Sequence, residues 1–173
     1  NALATSHANW ELLTEKLNAK NITLLDLPLL DNIWKERGEP SKNPIFVHPV
    51  ERAGKSVAEK IAAIRQKMES MEATVHVISS LDDVAWTLNL RGSDVQSNPV
   101  FLGYIVITKN DARLFTDLEK LEVEARKQMD EAWVKMMPYE EFYNCHYCSC
   151  WFYFSVGIVC GTGRSTRHCY SVW

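Results

Sequence analysis

The sequence contains no apolar run long enough to cross a membrane. Its longest run, "WFYFSVGIVCG" at residues 151–161, is far shorter than the roughly 20 residues that a membrane-spanning helix needs. The chain begins without a basic segment followed by an apolar one, so it shows no signal or targeting peptide. These absences predict a protein of the reducing cytoplasm that does not bind membranes.

The sequence also lacks an excess of charge of one sign. Its 19 basic and 22 acidic side chains give a formal net charge of -3, and they are mixed along most of the chain. A basic stripe for nucleic acid is absent, so we expect no nucleic-acid partner. With 46% hydrophobic residues among 173, the chain can bury a core, which predicts one globular domain with an extra element.

No cysteine occurs before Cys145, and no acidic residue occurs after that position. The sequence therefore changes character at residues 145–173, where aromatic and β-branched side chains dominate. A shifted reading frame or an alternative ending of the coding sequence would explain so abrupt a change. We expect so apolar a tail to pack into the domain, against a partner, or in a homodimer.

The cysteines of this tail raise the alternative of a zinc site. Thiolates and imidazoles are the ligands that zinc prefers, and a C-x-x-C pair is present. Cys160 and Cys169 do not repeat that unit, which favours a buried or incidental cysteine cluster over a metal centre. The candidate ligands are Cys145, Cys148, Cys150 and either His146 or His168.

The first 55 residues combine a clear helix with less regular segments. Hydrophobic spacing predicts a helix at residues 6–19, with Trp10, Leu13 and Leu17 on one face. We expect a short strand at residues 22–25, and then a turn and a helical segment that ends near Trp34. The stretch that follows contains three X-Pro pairs, which disfavour helix and predict a connector.

The strongest helix pattern follows this connector. Ser56 and Glu59 have the spacing of a capping box, and apolar residues then recur at steps of four and three. The β-branched run at residues 74–80 predicts a strand. A further helix is predicted to begin at Ser80, whose side chain would cap it, with Asp83 at the third position.

Two strands and one helix complete the pattern. Residues 100–108 form a nearly continuous apolar run, which is typical of a buried central strand. A turn at residues 109–111 and an alternating segment at residues 112–117 predict its antiparallel neighbour. A last helix is predicted at residues 118–132. This order of elements predicts an α/β fold with a mixed sheet.

Residues 79–101, "SSLDDVAWTLNLRGSDVQSNPVF", carry the most distinctive pattern of the chain. They closely resemble the second, non-catalytic domain of the Xaa-Pro aminopeptidases (aminopeptidase P), of the large cytosolic three-domain type. The resemblance extends to "NWELLTEKL" and "LLDNIW" upstream, to "AGKSVAEKIAAIRQKM" in the capped helix, and to "MPYEEF" near Glu140. It therefore spans most of the chain before the tail.

The resemblance implies a creatinase N-terminal-like α/β fold, with a mixed sheet of about six strands flanked by helices. In that family a separate C-terminal pita-bread domain removes the N-terminal residue from peptides whose second residue is proline. Two metal ions, commonly manganese, are held there by two Asp, one His and two Glu, and a bridging water attacks the scissile carbonyl. The tail stands where that domain would follow, so we expect this chain to hold no cofactor and to be inactive without a separate catalytic domain.

Pattern and resemblance together divide the chain into four regions. Residues 1–34 would be the end of a preceding domain or an N-terminal helix and strand, and residues 35–55 form the connector. Residues 56–144 form the core of the creatinase N-like domain, and residues 145–173 form the atypical tail.

The loop at residues 87–101 contains the candidate site. The resemblance implies that Arg91, Ser93 and Asp94 face the substrate side of a multidomain peptidase. From the residues alone, Gly92 permits a turn, and Asp94 either pairs with Arg91 or accepts backbone hydrogen bonds. No catalytic residue is predicted in this chain.

Other chemically capable residues are expected to have structural roles. Asp83 and Asp94 have the spacing of the family's two Asp ligands, but the resemblance places them in the wrong domain for metal binding. His48 lies in the connector and His76 within a strand, so both are expected to be surface or hydrogen-bonded histidines. The aromatic residues expected to pack in the core are Trp86, Tyr104 and Phe115.

Three functions stay open on the sequence. The first is a non-catalytic domain of an Xaa-Pro aminopeptidase, which supplies walls of the substrate channel or subunit contacts. The second is a stand-alone binding or oligomerisation module whose aromatic tail mediates self-association. The third is a zinc-binding protein.

Overall fold

Helices and strands alternate along the part of the chain that the structure describes. This computed structural model describes residues 7–25, 27, 33, 38, 41–144, 158–161 and 169–171. The helices are α1 (His7–Asn18), α2 (Val50–Ala53), α3 (Val57–Ser70), α4 (Leu81–Leu88) and α5 (Val123–Glu131), and 3-10 turns lie at Leu118–Lys120 and Tyr139–Phe142. The strands are β1 (Phe46–Val47), β2 (Ala73–Ile78), β3 (Leu90–Arg91), β4 (Gly103–Thr108), β5 (Ala112–Thr116), β6 (Lys135–Pro138), β7 (Ile158–Gly161) and β8 (Cys169–Ser171). Within these residues, none of the helices has the length and apolar character needed to cross a membrane.

Six strands form one mixed sheet, in the order β6-β5-β4-β2-β7-β8. β5 and β6 are parallel, and all other neighbouring pairs in this sheet are antiparallel. β1 and β3 form a separate two-stranded antiparallel ladder. The predicted α/β class with a mixed sheet is confirmed, and the strand number agrees with the expectation.

The sheet is apolar on both faces. Successive side chains of a strand point to opposite sides, and in β4 the side chains on both sides are buried and apolar. Ile105 and Ile107 of β4 face the larger core, which α3, α4 and α5 cover. Val106 faces a smaller core on the opposite side of the sheet. The other buried members of that smaller core are Val77, Phe115 and Phe142.

The capping box at the start of α3 forms as predicted. Ser56 Oγ accepts a hydrogen bond from the Glu59 N–H at 3.3 Å, and Glu59 Oε2 accepts one from the Ser56 N–H at 2.7 Å. These bonds satisfy donors that the first turn of a helix leaves without partners. Val57, Ile61 and Met68 of the predicted apolar face are buried.

The predicted side-chain cap of α4 is wrong. Ser80 occupies the N-cap position, but its side chain makes no capping hydrogen bond. The backbone of the first turn closes without it, since the Val84 N–H donates to the Ser80 carbonyl at 2.9 Å. Asp82 and Asp83 lie in this first turn, where negative charge is favoured by the helix dipole.

The predicted strand at residues 22–25 is also wrong, because this segment has no regular structure. Asn21 has a left-handed conformation with φ 58°, which ends α1. The Ile22 N–H therefore donates to the Leu17 carbonyl of the helix at 3.0 Å, and it is not available to a strand ladder. The helical segment that was expected to end near Trp34 lies largely outside the described residues.

The predicted helix at residues 118–132 is interrupted at Leu121. Leu118–Lys120 form a 3-10 turn, and α5 begins only at Val123. Leu121 is extended and lies in a parallel bridge with Ile45. This contact joins distant parts of the chain, so the local spacing of apolar residues does not reveal it.

The aromatic residues assigned to the core differ in their burial. Phe115 is buried as expected and Tyr104 is half-buried, whereas Trp86 is 51% exposed, so its core assignment is wrong. The Trp86 ring lies against a lysine ammonium, and such a pair is stable at a surface. β4 begins at Gly103, later than expected, although Phe101 before it is fully buried.

Two strands of the apolar tail extend the sheet. β7 pairs with β2, and β8 pairs with β7. The tail therefore adds to the sheet of its own domain, which is one of the three packing modes expected for it. Association of two copies through the tail stays a prediction. The zinc candidates Cys145, His146, Cys148, Cys150 and His168 lie outside the described residues.

The end of the predicted connector packs on the domain. Ile45 is fully buried in the larger core, and Phe46 and Val47 form β1 against β3. The boundaries of the four regions stay predictions.

Candidate functional site

The loop between β3 and β4 is closed by its own backbone. The Gly92 N–H donates to the Pro99 carbonyl at 3.4 Å, and the Asp94 N–H donates to the Val100 carbonyl at 3.0 Å. A Cβ atom at Gly92 would lie 2.8 Å from the Cβ of Phe101, so a larger residue would force a shift. Gly92 does not have a positive φ. Close packing of the two ends of the loop therefore requires glycine here. The turn suggested by the sequence does not require it, because the φ of Gly92 is not positive.

Arg91 is directed toward the C-terminal end of α4. Its Nη1 donates to the carbonyls of Ala85 at 2.9 Å and Leu90 at 2.8 Å. A cation is favoured at this end of a helix, because the helix dipole is negative there. Arg91 thus has a structural contact of its own, and its proposed orientation toward a substrate stays a prediction.

Asp94 forms a buried ion pair with Lys120. Their side chains are 2% and 7% exposed, respectively. The second carboxylate oxygen of Asp94 accepts a hydrogen bond from the Leu102 N–H at 2.8 Å. The expected backbone hydrogen bond is confirmed, whereas the alternative pairing with Arg91 is wrong, because Lys120 from the turn after β5 takes that place.

The three residues expected to face a substrate do not form one cluster. Arg91 contacts α4, Asp94 is buried against Lys120, and Ser93 between them is exposed. Of these three residues, Ser93 is the most accessible to a ligand that approaches the loop from solvent. The anchored neighbours on both sides restrict the positions that this serine can take. Its contact with a substrate stays a prediction.

Lys60 is a buried cation to which the sequence analysis assigned no role. It is 2% exposed, and its Nζ donates to the Trp86 carbonyl at 2.7 Å and to Asn89 Oδ1 at 2.6 Å. The same Nζ lies 4.1 Å from the centroid of the Trp86 ring. The sequence contains an indication of this burial, since Lys60 lies three residues after Val57 and four before Ile64, on the apolar face of α3.

Basic side chains surround the C-terminal end of α4. Burial lowers the pKa of Lys60, and the charges of Arg91 and Lys55 lower it further. His48 is half-buried nearby, and its pKa is lowered first by burial and then by the charges of Arg91, Arg52 and Lys60. Lys60 and Arg91 both donate to carbonyls of α4, and Arg52 and Lys55 are near enough to contribute to these shifts.

A groove of about 460 Å³ opens between α3 and α4, a volume within the usual range for ligand sites. Its apolar lining includes Ile64, Met68 and Ile78. Lys60 and Trp86 also line it. The groove therefore connects an apolar surface to the basic region at the end of α4.

Three tyrosine hydroxyl groups meet beside the smaller core. The Tyr104 and Tyr143 oxygens are 3.2 Å apart, and the Tyr139 hydroxyl donates to that of Tyr104 at 3.2 Å. Burial raises the pKa of Tyr104 and of Tyr143 to about 12. These phenols stay neutral at ordinary pH, so we assign them a structural role.

No group of three or more His, Cys, Asp or Glu side chains is arranged for metal binding within the described ranges. Asp83 and Asp94 lie on separate elements, and Asp94 is paired with Lys120. His76 is a buried residue of β2 that lines the groove, and it has interaction partners.

Comparison with known sequences identifies relatives over most of the chain. The model of the Creatinase/Prolidase N-terminal domain family matches residues 36–150. A probable Xaa-Pro aminopeptidase P from Arthroderma gypseum is 42% identical over 132 residues, which are 76% of this chain and 21% of that protein. Aminopeptidase P2 from Arabidopsis thaliana is 36% identical over 126 residues, which are 72% of this chain and 18% of that protein.

A solved structure shares the fold. The X-prolyl aminopeptidase from Caenorhabditis elegans, described as a cytosolic enzyme with a di-nuclear active site, matches with a TM-score of 0.74 and 29% identity. The match covers 85% of this chain and 24% of that chain. The chain spans about a fifth of the length of the curated relatives named above. These matches confirm the resemblance, and the chain belongs to the creatinase/prolidase N-terminal domain family.

Proposed function

We propose that this chain serves as a non-catalytic domain of an Xaa-Pro aminopeptidase-type protein. The observation that carries this proposal is the match of about three quarters of the chain to about a fifth of the aminopeptidase P relatives. Such a domain supplies walls of the substrate channel or contacts between subunits. The hydrolytic step belongs to a separate catalytic domain, which is the partner that this proposal requires.

The anchored β3–β4 loop supports a wall-forming role. A surface that lines a substrate channel must keep its shape while peptides pass, and the buried pair of Asp94 with Lys120 resists displacement of this loop. The close approach of Gly92 to Phe101 holds its two ends together. Ser93, exposed between these anchors, is the residue that we expect to line the channel.

We assign the metal chemistry to the separate catalytic domain. The family resemblance implies that two Asp, one His and two Glu of that domain would hold manganese. The metal would polarise the water that attacks the peptide bond. The described residues offer no comparable group of ligands, so no step of hydrolysis is assigned to them. We also propose a cytoplasmic location, by analogy with the Caenorhabditis elegans relative, which is described as cytosolic.

A peptidase assay tests the proposal. The purified chain is incubated with an Xaa-Pro tripeptide and manganese, and release of the N-terminal residue is followed by chromatography. We expect no release above the buffer rate, while a full-length Xaa-Pro aminopeptidase P cleaves the same peptide. Turnover that is proportional to the concentration of this chain, and that a chelator abolishes, would show that the chain is itself an enzyme.

A further inference from the structure

We propose that the C-terminal end of α4 binds a peptide that carries a carboxylate next to an apolar side chain. The site combines the basic side chains around this helix end with the groove between α3 and α4. Arg52, Lys60 and Arg91 supply the charge, and Trp86 connects the charge to the groove. This binding requires no catalytic domain, so it is independent of the function proposed above.

The positive charge at this place exceeds what the helix end can neutralise. The C-terminal end of a helix carries only about half a negative elementary charge. Lys60 and Arg91 both donate to carbonyls of α4, and Arg52 lies close enough to His48 to lower its pKa together with them. Two cations are therefore directed at one partial negative charge and Arg52 adds a third nearby, in a chain whose net charge is -3.

Acidic side chains do not remove this excess. Arg52, Lys60 and Arg91 take part in none of the salt bridges between described residues. The basic residues in those salt bridges are Arg113, Lys120, Lys127 and Lys135. Glu59 is engaged by Ser56, and Asp82 and Asp83 lie in the first turn of α4. Asp83 also lines the groove, but the basic residue Lys67 lines it as well and offsets this charge. Glu51, next to Arg52 on α2, offsets at most one charge. The region is therefore suited to an anionic ligand.

The groove determines which kind of anion fits best. Trp86 is 51% exposed, and its ring lies against the Lys60 ammonium. The Ile64 and Met68 side chains give the adjoining groove an apolar wall. A small inorganic anion would leave this wall in contact with water. A peptide with an apolar residue beside its carboxylate would cover the wall and bring its negative charge to the exposed Arg52 and the partly exposed Arg91, while Lys60 stays buried.

Calorimetric titration of the intact chain tests the site with one peptide in two forms. Acetyl-Ala-Gly-Leu with a free carboxylate is compared with its C-terminal amide. We expect the free acid to bind at least about tenfold more tightly, because a charge-assisted hydrogen bond is worth roughly that factor. Arg52→Gln should weaken binding of the acid several-fold. Trp86→Ala should weaken both forms, and Trp86→Phe should retain most of the affinity.

Lys127→Gln is the matched control, because Lys127 is an exposed lysine on α5 whose loss should leave binding unchanged. Circular dichroism of each variant checks that the fold is intact. Equal binding of acid and amide, or no binding of the acid, would overturn the proposal. An equal effect of Lys127→Gln would show attraction by net charge only. Displacement by inorganic phosphate, together with no effect of Trp86→Ala, would reduce the site to an unspecific anion patch and likewise overturn it.

Discussion

Trp133 occupies a backbone position that glycine usually takes. It follows the end of α5 with φ 56°, and its side chain is 88% exposed. The Trp133 N–H donates to the Asp130 carbonyl at 3.1 Å and the Val134 N–H to the Met129 carbonyl at 2.9 Å, which is the bond pattern of a Schellman motif. The left-handed conformation costs a residue with a Cβ atom about 1–2 kcal/mol. Burial of so exposed a ring offsets little of this cost.

We therefore expect Trp133→Gly to stabilise the protein. Removal of the Cβ strain should raise the free energy of unfolding by only about 0.5–1 kcal/mol. The greater entropy of glycine in the unfolded chain offsets the rest of the relieved strain. Urea unfolding followed by circular dichroism measures the change. Trp133→Ala keeps the Cβ atom and should show no comparable gain. If glycine were less stable than alanine at this position, the strain argument would be wrong.

At the scale of single elements, α3 and α4 both begin after a serine but use it differently. Ser56 Oγ accepts a hydrogen bond from the Glu59 N–H, and Glu59 Oε2 accepts one from the Ser56 N–H. The Ser80 side chain makes no capping bond to α4. Both serines have an acidic residue three positions later, so the sequence pattern alone does not separate the two cases. The orientation of each serine side chain decides.

This difference predicts unequal effects of the same substitution. Ser56→Ala should lower the free energy of unfolding by about 1 kcal/mol, because it removes one partner of the capping box. Ser80→Ala should change it by no more than a few tenths, since no side-chain bond is lost. Chemical denaturation of the two variants beside the parent chain provides the comparison. Equal losses at both positions would contradict the assignment of the caps.

At the scale of the whole molecule, the pair of Asp94 and Lys120 joins two connections of the sheet. Asp94 lies in the loop between β3 and β4, and Lys120 lies in the turn between β5 and α5. Loss of one partner leaves the other charge buried, which typically costs about 3–5 kcal/mol. The exposed pair of Lys127 and Glu131 lies 76% and 67% exposed and offers a control.

We expect Asp94→Asn to destabilise the chain strongly, by about 3 kcal/mol or more, because the buried Lys120 ammonium would lose its anionic partner. Lys127→Gln should cost less than about 0.5 kcal/mol. Thermal and urea unfolding of both variants give these values. The double variant Asp94→Leu with Lys120→Met should recover part of the loss, since no buried charge then remains. A mild effect of Asp94→Asn would show that Lys120 reaches solvent easily.

Much of the fold followed from local patterns. The capping box at Ser56, the central apolar strand and its antiparallel neighbour at residues 112–117 were predicted with small errors in the strand ends, because each depends on residues that are adjacent in sequence. The errors lie where distant residues act. Ile45 holds Leu121 out of a helix, and the left-handed Asn21 removes the Ile22 amide from any strand.

The candidate site was predictable only in part. The pattern "LNLRGSD" located the loop and its family, and it suggested a backbone bond to Asp94 that the structure contains. It did not show that Asp94 pairs with Lys120, or that Gly92 is required by the proximity of Phe101. Each of these contacts joins residues that only the folded chain brings together.

The α/β class and the main helices and strands follow from the sequence alone, because periodicity and capping act over a few neighbouring residues. The family follows from the resemblance carried by residues 79–101. Which charges meet depends on the folded chain. The fold buries Lys60 at the end of α4, places Arg91 beside it, and leaves Trp86 exposed at a groove. Burial and electrostatic contact depend on distances across the fold, and these are set when α3, α4 and the sheet pack against one another.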